Sequence, residues 1–171
     1  MEPDGIEAAR IAETLGTLAL AHGASDMPWI RVEPMRLATA AARLRDDPSL
    51  GFDVLTDLTA ADRMGFPEPS PERFCVVIHL YSLSRGARLR LHAFVPEKDP
   101  AAATLSGLWG NADWLERECF DMFGIRFAGH PDLRRILMPE GYEGHPLRRD
   151  YPLRGRGERD RFETTARGTP A

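Results

Sequence analysis

The chain has 171 residues, of which 43% are hydrophobic and 28% are charged, and its formal net charge is −4. This length and composition are typical of one globular domain that is large enough to bury a core. No apolar run approaches the roughly 20 residues that cross a bilayer, and the first 16 residues are acidic and amphipathic, unlike a secretory signal. We therefore expect a cytoplasmic protein that meets a membrane only through partners.

Helices and strands alternate through the first 60 residues. Apolar residues recur at helical spacing over residues 5–21 and again over residues 35–45, so both ranges are predicted to be helices. Residues 29–32 and 52–57 are short and rich in apolar or β-branched residues, which predicts strands. The two helices would cover a sheet that includes these two strands.

A hairpin is the clearest local pattern. Residues 73–81 are apolar on both faces, which predicts an interior strand, and residues 87–95 alternate apolar with polar side chains. Residues 82–86 supply the turn between them. The pattern predicts an α+β fold in which a mixed or antiparallel sheet carries helices on one face. The strand order outside this hairpin is not predicted.

A third amphipathic helix is predicted for residues 112–123, and Gly124 follows where a helix-ending glycine belongs. Its apolar half is expected to carry Trp114, Leu115, Cys119, Met122 and Phe123. Three polar residues fall on the opposite half, namely Glu116, Arg117 and Asp121. Glu118 falls inside the apolar arc, so we expect it to be partly buried.

Glu118 has two interpretations. Burial would raise the pKa of this carboxyl group and make it a candidate catalytic acid, whereas a nearby arginine would make it half of an ion pair. Several arginines are close in sequence, which favours the ion pair, and Asp121 stands at salt-bridge spacing from Arg117. The sequence holds no nucleophile–base pair and no glycine-rich phosphate loop, so no catalytic residue is predicted.

The two cysteines, Cys75 and Cys119, are far apart in the sequence. Two thiolates do not fill a four-cysteine zinc or iron–sulfur site, and a disulfide is unusual in the cytoplasm. Both are expected to be small buried hydrophobes.

Charge is unevenly distributed along the chain. Residues 1–125 carry 12 basic and 19 acidic side chains, a net charge of −7, whereas residues 126–171 carry 10 and 7, a net charge of +3. Every cation in the second part is arginine. Nucleic acid is one explanation for such a tail, but its interspersed carboxylates favour a protein partner.

Residues 126–171 also contain two Gly-His-Pro triplets, centred on His130 and His145. Each histidine is a candidate metal ligand or general base, but neither stands in a cluster with zinc-site spacing. The glycine before and the proline after each histidine favour a turn with a locally hydrogen-bonded imidazole.

An arginine pair follows each triplet within a few residues. The first pair is Arg134 and Arg135, and the second is Arg148 and Arg149. These pairs are compatible with phosphate binding, with simple solvation, or with docking on the carboxylates of a neighbouring protein. The apolar residues between them favour docking, because arginine and apolar side chains are common at interfaces.

Four motifs in this part of the chain resemble a known family. They are WLERE at 114–118, DMFGI at 121–125, GHPDLRRIL at 129–137 and EGHPLRRDYPL at 143–153. Together they resemble the signature of the 30 kDa subunit, designated C, of the proton-pumping NADH:quinone oxidoreductase known as respiratory complex I. Arg149 stands where that family usually has lysine, which keeps the charge.

The resemblance implies an α+β domain over residues 1–125 and an extended partner-binding segment over residues 126–171. It implies a structural subunit in the peripheral arm on the cytoplasmic face of a bacterial membrane. Its partners would be chiefly the quinone-site subunit, designated D, and also the subunit designated B and the iron–sulfur subunits. The FMN, iron–sulfur clusters and quinone of the whole enzyme would lie in other subunits. The signature residues expected to bind partners or support structure are Glu116, Arg117, Glu118, Asp121, Gly124, His130, Arg134, Arg135, His145, Arg148, Arg149 and Asp150.

Two alternatives differ from this assignment. The first is the equivalent subunit of a membrane-bound energy-converting hydrogenase or of a ferredoxin-linked quinone reductase. The second is a free-standing enzyme that uses Glu118 and the histidines.

Overall fold

The computed structural model describes residues 4–67 and 71–157. In chain order the elements are the helix α1 (Asp4–Leu15), a 3-10 turn (Gly16–Leu18), the strands β1 (Ala19–Ala24) and β2 (Pro28–Val32), a 3-10 turn (Pro34–Arg36), the helix α2 (Leu37–Asp46), the strands β3 (Val54–Asp62), β4 (Phe74–Ser82), β5 (Ala87–Val95) and β6 (Ala101–Ala103), the helix α3 (Ala112–Phe123) and the strand β7 (Arg126–Ala128).

Five strands form the main sheet in the order β1-β2-β5-β4-β3. The predicted hairpin is confirmed, since β4 and β5 pair antiparallel from Phe74↔Val95 to Ser82↔Ala87. β3 adds antiparallel to β4, and β2 lies parallel to β5. The sheet is therefore mixed, and the predicted α+β class is confirmed.

The helices cover one face of this sheet. Successive side chains of a strand point to opposite faces, so alternate residues of β4 and β5 face the helices. Those residues, including Ile78 and Leu91, are fully buried and share one core with Ile11 of α1, Leu44 of α2 and Cys119 of α3. The prediction of helices on one face is correct.

Both cysteines are free and buried, as expected. Burial raises the pKa of the Cys75 thiol to about 12 and also raises the pKa of the Cys119 thiol. Thiols that stay protonated at neutral pH are poor nucleophiles and poor metal ligands. They pack as small apolar groups.

The first predicted helix is too long. α1 ends at Leu15, Gly16 adopts the left-handed φ of +58°, and residues 19–24 continue as the edge strand β1. β1 pairs antiparallel with β2, a long-range contact that apolar spacing within residues 5–21 does not encode. The strand predicted at 52–57 is observed as β3, which begins two residues later and extends to Asp62.

The boundary predicted after residue 125 falls just before another strand. β7 pairs parallel with β6, so the folded domain continues to Ala128. Residues 129–157, here called the C-terminal segment, then continue in turns and irregular backbone. The part of the predicted tail from residue 158 to residue 171 lies outside the described residues. Within the described ranges, no helix combines the length and apolar character needed to cross a membrane.

Candidate docking site on the C-terminal segment

α3 forms and ends where the sequence predicts. Its last backbone carbonyls are followed by Gly124, which adopts φ +75° and ψ 22° and donates its N–H to the Phe120 carbonyl over 2.9 Å. A left-handed residue at this position turns the chain away from the helix axis. That turn leads into β7 and then into the C-terminal segment.

The prediction of which side of α3 is buried is partly wrong. Glu116 and Asp121 are fully buried, whereas Trp114 is 60% exposed and Glu118 is exposed. The prediction assumes that only apolar side chains face inward. α3 packs against the sheet on one side, but on another side it meets backbone N–H groups that require acceptors, and carboxylates satisfy them.

Asp121 is the principal anchor of the C-terminal segment. Its Oδ2 accepts the backbone N–H groups of Ile136, Leu137 and Met138 at 3.0, 2.8 and 2.8 Å. Its Oδ1 accepts Nη1 of Arg135 at 2.6 Å. Burial alone would raise the pKa of Asp121, but these hydrogen bonds favour the carboxylate and lower it.

The second Gly-His-Pro triplet caps the end of α3. His145 Nδ1 lies 2.9 Å from the Asp121 carbonyl, so Nδ1 carries a proton and donates it. The Leu147 N–H donates to the Met122 carbonyl at 3.2 Å, and Arg148 Nε donates to the Phe123 carbonyl at 2.6 Å. Carbonyls that lack partners in the last turn of a helix are thereby satisfied.

The first Gly-His-Pro triplet binds the start of α3. His130 Nδ1 accepts the Asp132 N–H at 3.0 Å, so the proton is on Nε2, which lies 3.2 Å from the Asp113 carbonyl. Nearby, Glu116 accepts the Leu105 N–H and the Thr104 hydroxyl, both at 2.5 Å. Burial raises the pKa of Glu116 despite these two bonds.

A second anchor holds the far end of the segment. Arg73 is almost fully buried and contacts Asp62, Glu97 and Asp150, each at 2.7 Å. Asp62 also accepts the Arg149 N–H at 2.9 Å. Burial alone would raise the pKa of Asp62, but the hydrogen bonds from Arg73 and from backbone N–H groups lower it to about 2.

The structure separates the two members of each arginine pair. Arg135 and Arg148 point inward and bind α3, which corrects the prediction that both pairs reach for a neighbouring protein. Arg134 is 69% exposed in an ion pair with Asp132. Arg149 lies outward over the Phe66 ring, at 4.7 Å from its centroid.

Arg117 does not form the salt bridge to Asp121 that its helical spacing predicts. Its Nε donates to the Arg134 carbonyl at 3.1 Å, and its guanidinium lies over the Trp114 ring. It forms no ion pair with Asp121, because Arg135 already occupies that carboxylate. Helical spacing alone gives the possible neighbours of Asp121 but not the more distant residues that compete for it.

The outward side of the segment, with the adjacent exposed part of α3 and the loop after β3, is here called the docking surface. Its exposed side chains are Met64, Phe66, Trp114, Arg134, Leu137, Leu147, Arg149 and Leu153. Apolar side chains together with arginines are typical of protein interfaces. In the described part of the chain, no group of three or more His, Cys, Asp or Glu side chains is arranged to hold a metal ion.

Sequence reasoning misses Arg73 and Asp62. In the predicted elements Arg73 is the first residue of a strand, and Asp62 lies outside every predicted helix and strand. Both are charged residues at the ends of apolar strands, a position that is usually solvated. Their direct ion pair joins the end of β3 to the start of β4, and Asp150 returns to the same Arg73 from 77 residues later in the chain.

Comparison with known proteins gives a consistent family. Residues 30–157 match the family model described as the respiratory-chain NADH dehydrogenase 30 kDa subunit. The chain is 52% identical over 110 residues to NADH-quinone oxidoreductase subunit 5 of Thermus thermophilus, covering 61% of this chain and 53% of that protein. It therefore spans about half the length of that relative.

Another curated relative is matched over more of both chains. The NADH-quinone oxidoreductase subunit designated C in Burkholderia cenocepacia is 44% identical over 154 residues, which cover 88% of this chain and 72% of that protein. The solved structure of the trypsin-resistant fragment (1–134) of Nqo5 matches with a TM-score of 0.64 at 36% identity, covering 73% of this chain and 98% of that one.

A more distant structure shares the fold alone. It comes from a membrane-bound sulfane sulfur reductase described as an archaeal respiratory membrane complex. Its TM-score is 0.71 at 17% identity, over 97% of this chain and 95% of that one.

Proposed function

Because the chain belongs to the family of the 30 kDa subunit of respiratory-chain NADH dehydrogenase, we propose that it is a structural subunit of an NADH:quinone oxidoreductase. In this proposal the whole enzyme passes electrons from NADH through FMN and iron–sulfur clusters to quinone and couples the transfer to proton translocation. This chain holds none of those groups and has no catalytic centre of its own.

The observation that carries the structural role is how the charged signature residues are used. Asp121, Arg135 and Arg148 direct their hydrogen bonds to the chain's own backbone or to each other. A side chain committed in this way holds a segment in place and has little freedom to exchange protons or bind a substrate. The signature therefore supports a scaffold.

The proposed partners are the quinone-site subunit first, then the subunit designated B and the iron–sulfur subunits of the peripheral arm, on the cytoplasmic face of the membrane. The docking surface supports a protein partner, because Trp114, Leu137 and Leu147 are all more than half exposed. Exposure of large apolar side chains to water is unfavourable in free energy, and burial of these side chains against a partner removes that exposure.

The hydrogenase alternative is less well supported. The curated relatives cited above, at 44–52% identity, are subunits of NADH-quinone oxidoreductases. The sulfane sulfur reductase complex resembles this chain in fold only.

Affinity purification of the tagged chain from gently solubilised membranes tests the proposal. The wild-type chain should recover the other NADH:quinone oxidoreductase subunits, identified by mass spectrometry. The double variant Arg134→Glu/Leu137→Asp should lose them, because it reverses one charge of the docking surface and places another where an exposed apolar side chain stands. Recovery of hydrogenase subunits, or of no respiratory subunit, by the wild-type chain would contradict the assignment.

Leu83→Asp is the matched control for that variant. Leu83 is 66% exposed in the turn between β4 and β5, away from the C-terminal segment. The Leu83→Asp variant should retain the partner subunits. If the double variant also retains them, the docking surface is misplaced although the family assignment stands.

The purified chain alone tests the absence of a catalytic centre. It should show no flavin fluorescence, no iron–sulfur absorbance and no reduction of quinone by NADH. Turnover by the isolated chain would favour the free-standing enzyme instead.

A further inference from the structure

The sheet has a second face that the helices do not cover. This open face is defined by Trp29 and Arg31 of β2, Val77 and His79 of β4, and His92 and Phe94 of β5. Each of these side chains is only partly buried, whereas neighbours on the helix side, such as Ile30 and Leu91, are fully buried. In a two-layer fold, the uncovered face of the sheet is usually polar.

This face is instead centred on aromatic rings. Trp29 stacks on His92 with ring centroids 5.6 Å apart, and His92 meets Phe94 edge-on at 6.1 Å. Gly23 of β1 lies directly beneath Trp29, since an added Cβ there would stand 2.7 Å from the indole. The glycine lets the indole lie flat on the sheet and present its outer surface.

Arginines surround the aromatic centre. Arg31 and Arg63 both lie over the Phe94 ring, at 4.6 and 4.9 Å from its centroid. Arg31 is paired with Glu72. Among the described residues, Arg63 has no carboxylate partner, and neither does Arg88 at the opposite end of the face.

The balance of charge on this face differs from that of the chain. Burial, together with the nearby Arg90 guanidinium, lowers the pKa of His92 to about 4, so this ring is neutral near pH 7. The arginines are then the cations of the face, and the two without a carboxylate partner lie near its ends. Phe94 follows Arg88 by six positions along β5, which corresponds to about 20 Å along a strand.

We infer that the open face is a second docking surface, which binds a protein that presents carboxylates on either side of an apolar patch. Tryptophan, tyrosine and arginine are the residues that most often dominate binding at protein interfaces. Among the described residues Arg63 and Arg88 form no ion pair, so their charges at the two ends of the face favour an acidic partner and set its register. Nucleic acid is disfavoured because Asp57 and Glu72 lie among these arginines and the chain is net negative.

This inference rests on the proposed function, since the partner is taken to be a neighbouring subunit. The α3 part of the docking surface lies on the helix side of the sheet and the open face lies on the opposite side, while the loop after β3 contributes Phe66 to the first and Arg63 to the second. The chain would therefore stand between two neighbours rather than at the edge of an assembly.

The double variant Arg63→Glu/Arg88→Glu in the tagged full chain, produced in its own cells, tests the inference. Recovery of oxidoreductase subunits should fall at least tenfold, while the circular dichroism spectrum stays that of the wild-type chain. Trp29→Ala should weaken recovery without any change of charge. Arg36→Glu, an exposed arginine outside this face, is the control and should behave as wild type.

The outcomes separate the two proposals. If the wild-type chain recovers the oxidoreductase and the double variant does so equally well, the open-face inference is wrong and the proposed function stands. If the wild-type chain recovers no oxidoreductase subunit, the proposed function fails. Release of the wild-type chain by nuclease would point to nucleic acid and would also overturn the inference.

Zero-length cross-linking identifies the partner's carboxylates directly. Arg88→Lys keeps the charge and adds an amine that carbodiimide couples to a nearby Asp or Glu. We expect a cross-link from position 88 to an acidic residue of one neighbouring subunit in the purified complex. Cross-links from that position only to this chain's own carboxylates, such as Asp57, would contradict the inference.

Discussion

Asp121 shows how a single buried carboxylate holds the middle of an irregular segment, through residues 135–138 and His145. Its side chain accepts three consecutive backbone N–H groups and one guanidinium, and its own carbonyl accepts His145. A segment without helix or strand must still satisfy its backbone polar groups. Here the carboxylate supplies the acceptors that a neighbouring strand would otherwise provide.

Asp121→Asn should lower the free energy of unfolding by about 2–4 kcal/mol, because charge-assisted hydrogen bonds are lost and Arg135 is left partly buried without its counter-ion. Urea unfolding of the full chain measures the change. Asp132→Asn is the control, since it removes only the exposed pair with Arg134 and should cost less than about 1 kcal/mol. Equal effects of the two substitutions would show that Asp121 is not the anchor.

The lowered pKa of Asp62 predicts how stability depends on pH. A carboxyl with a pKa of about 2 in the folded chain, and close to 3.8 when unfolded, binds protons more readily in the unfolded state. Its contribution is fully present above pH about 4 and is lost as the pH falls toward about 2. Asp121, whose pKa is also lowered, adds to the same loss.

Urea unfolding at pH 5, 4 and 3 checks this dependence. Asp62→Asn should flatten the decline in stability below pH 4. Glu116→Gln should leave the decline in place, because the pKa of Glu116 is raised and its effect on stability has the opposite sign. A decline that Asp62→Asn does not alter would mean that other carboxyls cause it.

At the scale of elements, the end of α3 is where helix, strand and C-terminal segment meet. Gly124 adopts a left-handed backbone, and an added Cβ would stand 2.5 Å from His145 Nε2 and 2.6 Å from Arg148 Nη2. Both side chains are fixed by their bonds to α3 carbonyls. The glycine therefore serves the turn and also leaves room for the segment.

Gly124→Ala should cost about 1–2 kcal/mol for the left-handed backbone and a further 1–3 kcal/mol, roughly, for displaced hydrogen bonds. Gly141→Ala is the matched control, because Gly141 has φ +80° and nothing within 4 Å of its Cβ position. Gly124→Ala should also speed tryptic cleavage after Arg148. Identical costs at the two glycines would mean that the segment does not pack there.

Periodicity predicts most elements of this fold, with limits that have physical causes. The hairpin and α3 are predicted closely because local apolar patterns and a helix-ending glycine define them. The end of α1 is not, because β1 exists only through its pairing with β2. A helical wheel places the buried Glu116 and Asp121 on the solvent side, because it uses only the polarity of the side chains in the helix. It contains no information about N–H donors from distant parts of the chain that these carboxylates bind.

At the scale of the whole molecule, we propose that the two sides of the C-terminal segment have different roles. The inner side binds α3 and the sheet edge through Asp121, Arg135, His145 and Asp150. The outer side presents the docking surface. The sequence predicts the residues that take part in this segment, but not which of two adjacent arginines faces inward, because irregular backbone has no fixed period.

Adjacent arginines provide the most direct test of this two-sided arrangement. Arg134→Glu and Arg135→Glu make the same charge change one residue apart, and each full-length variant is examined for thermal stability and for recovery of oxidoreductase subunits from membranes. Arg134→Glu should keep the midpoint within about 2 °C and lose the partners, whereas Arg135→Glu should lower the midpoint by about 5–12 °C. If both variants keep their stability, or if Arg134→Glu destabilises the chain as much as Arg135→Glu, the assignment of inner and outer sides is wrong.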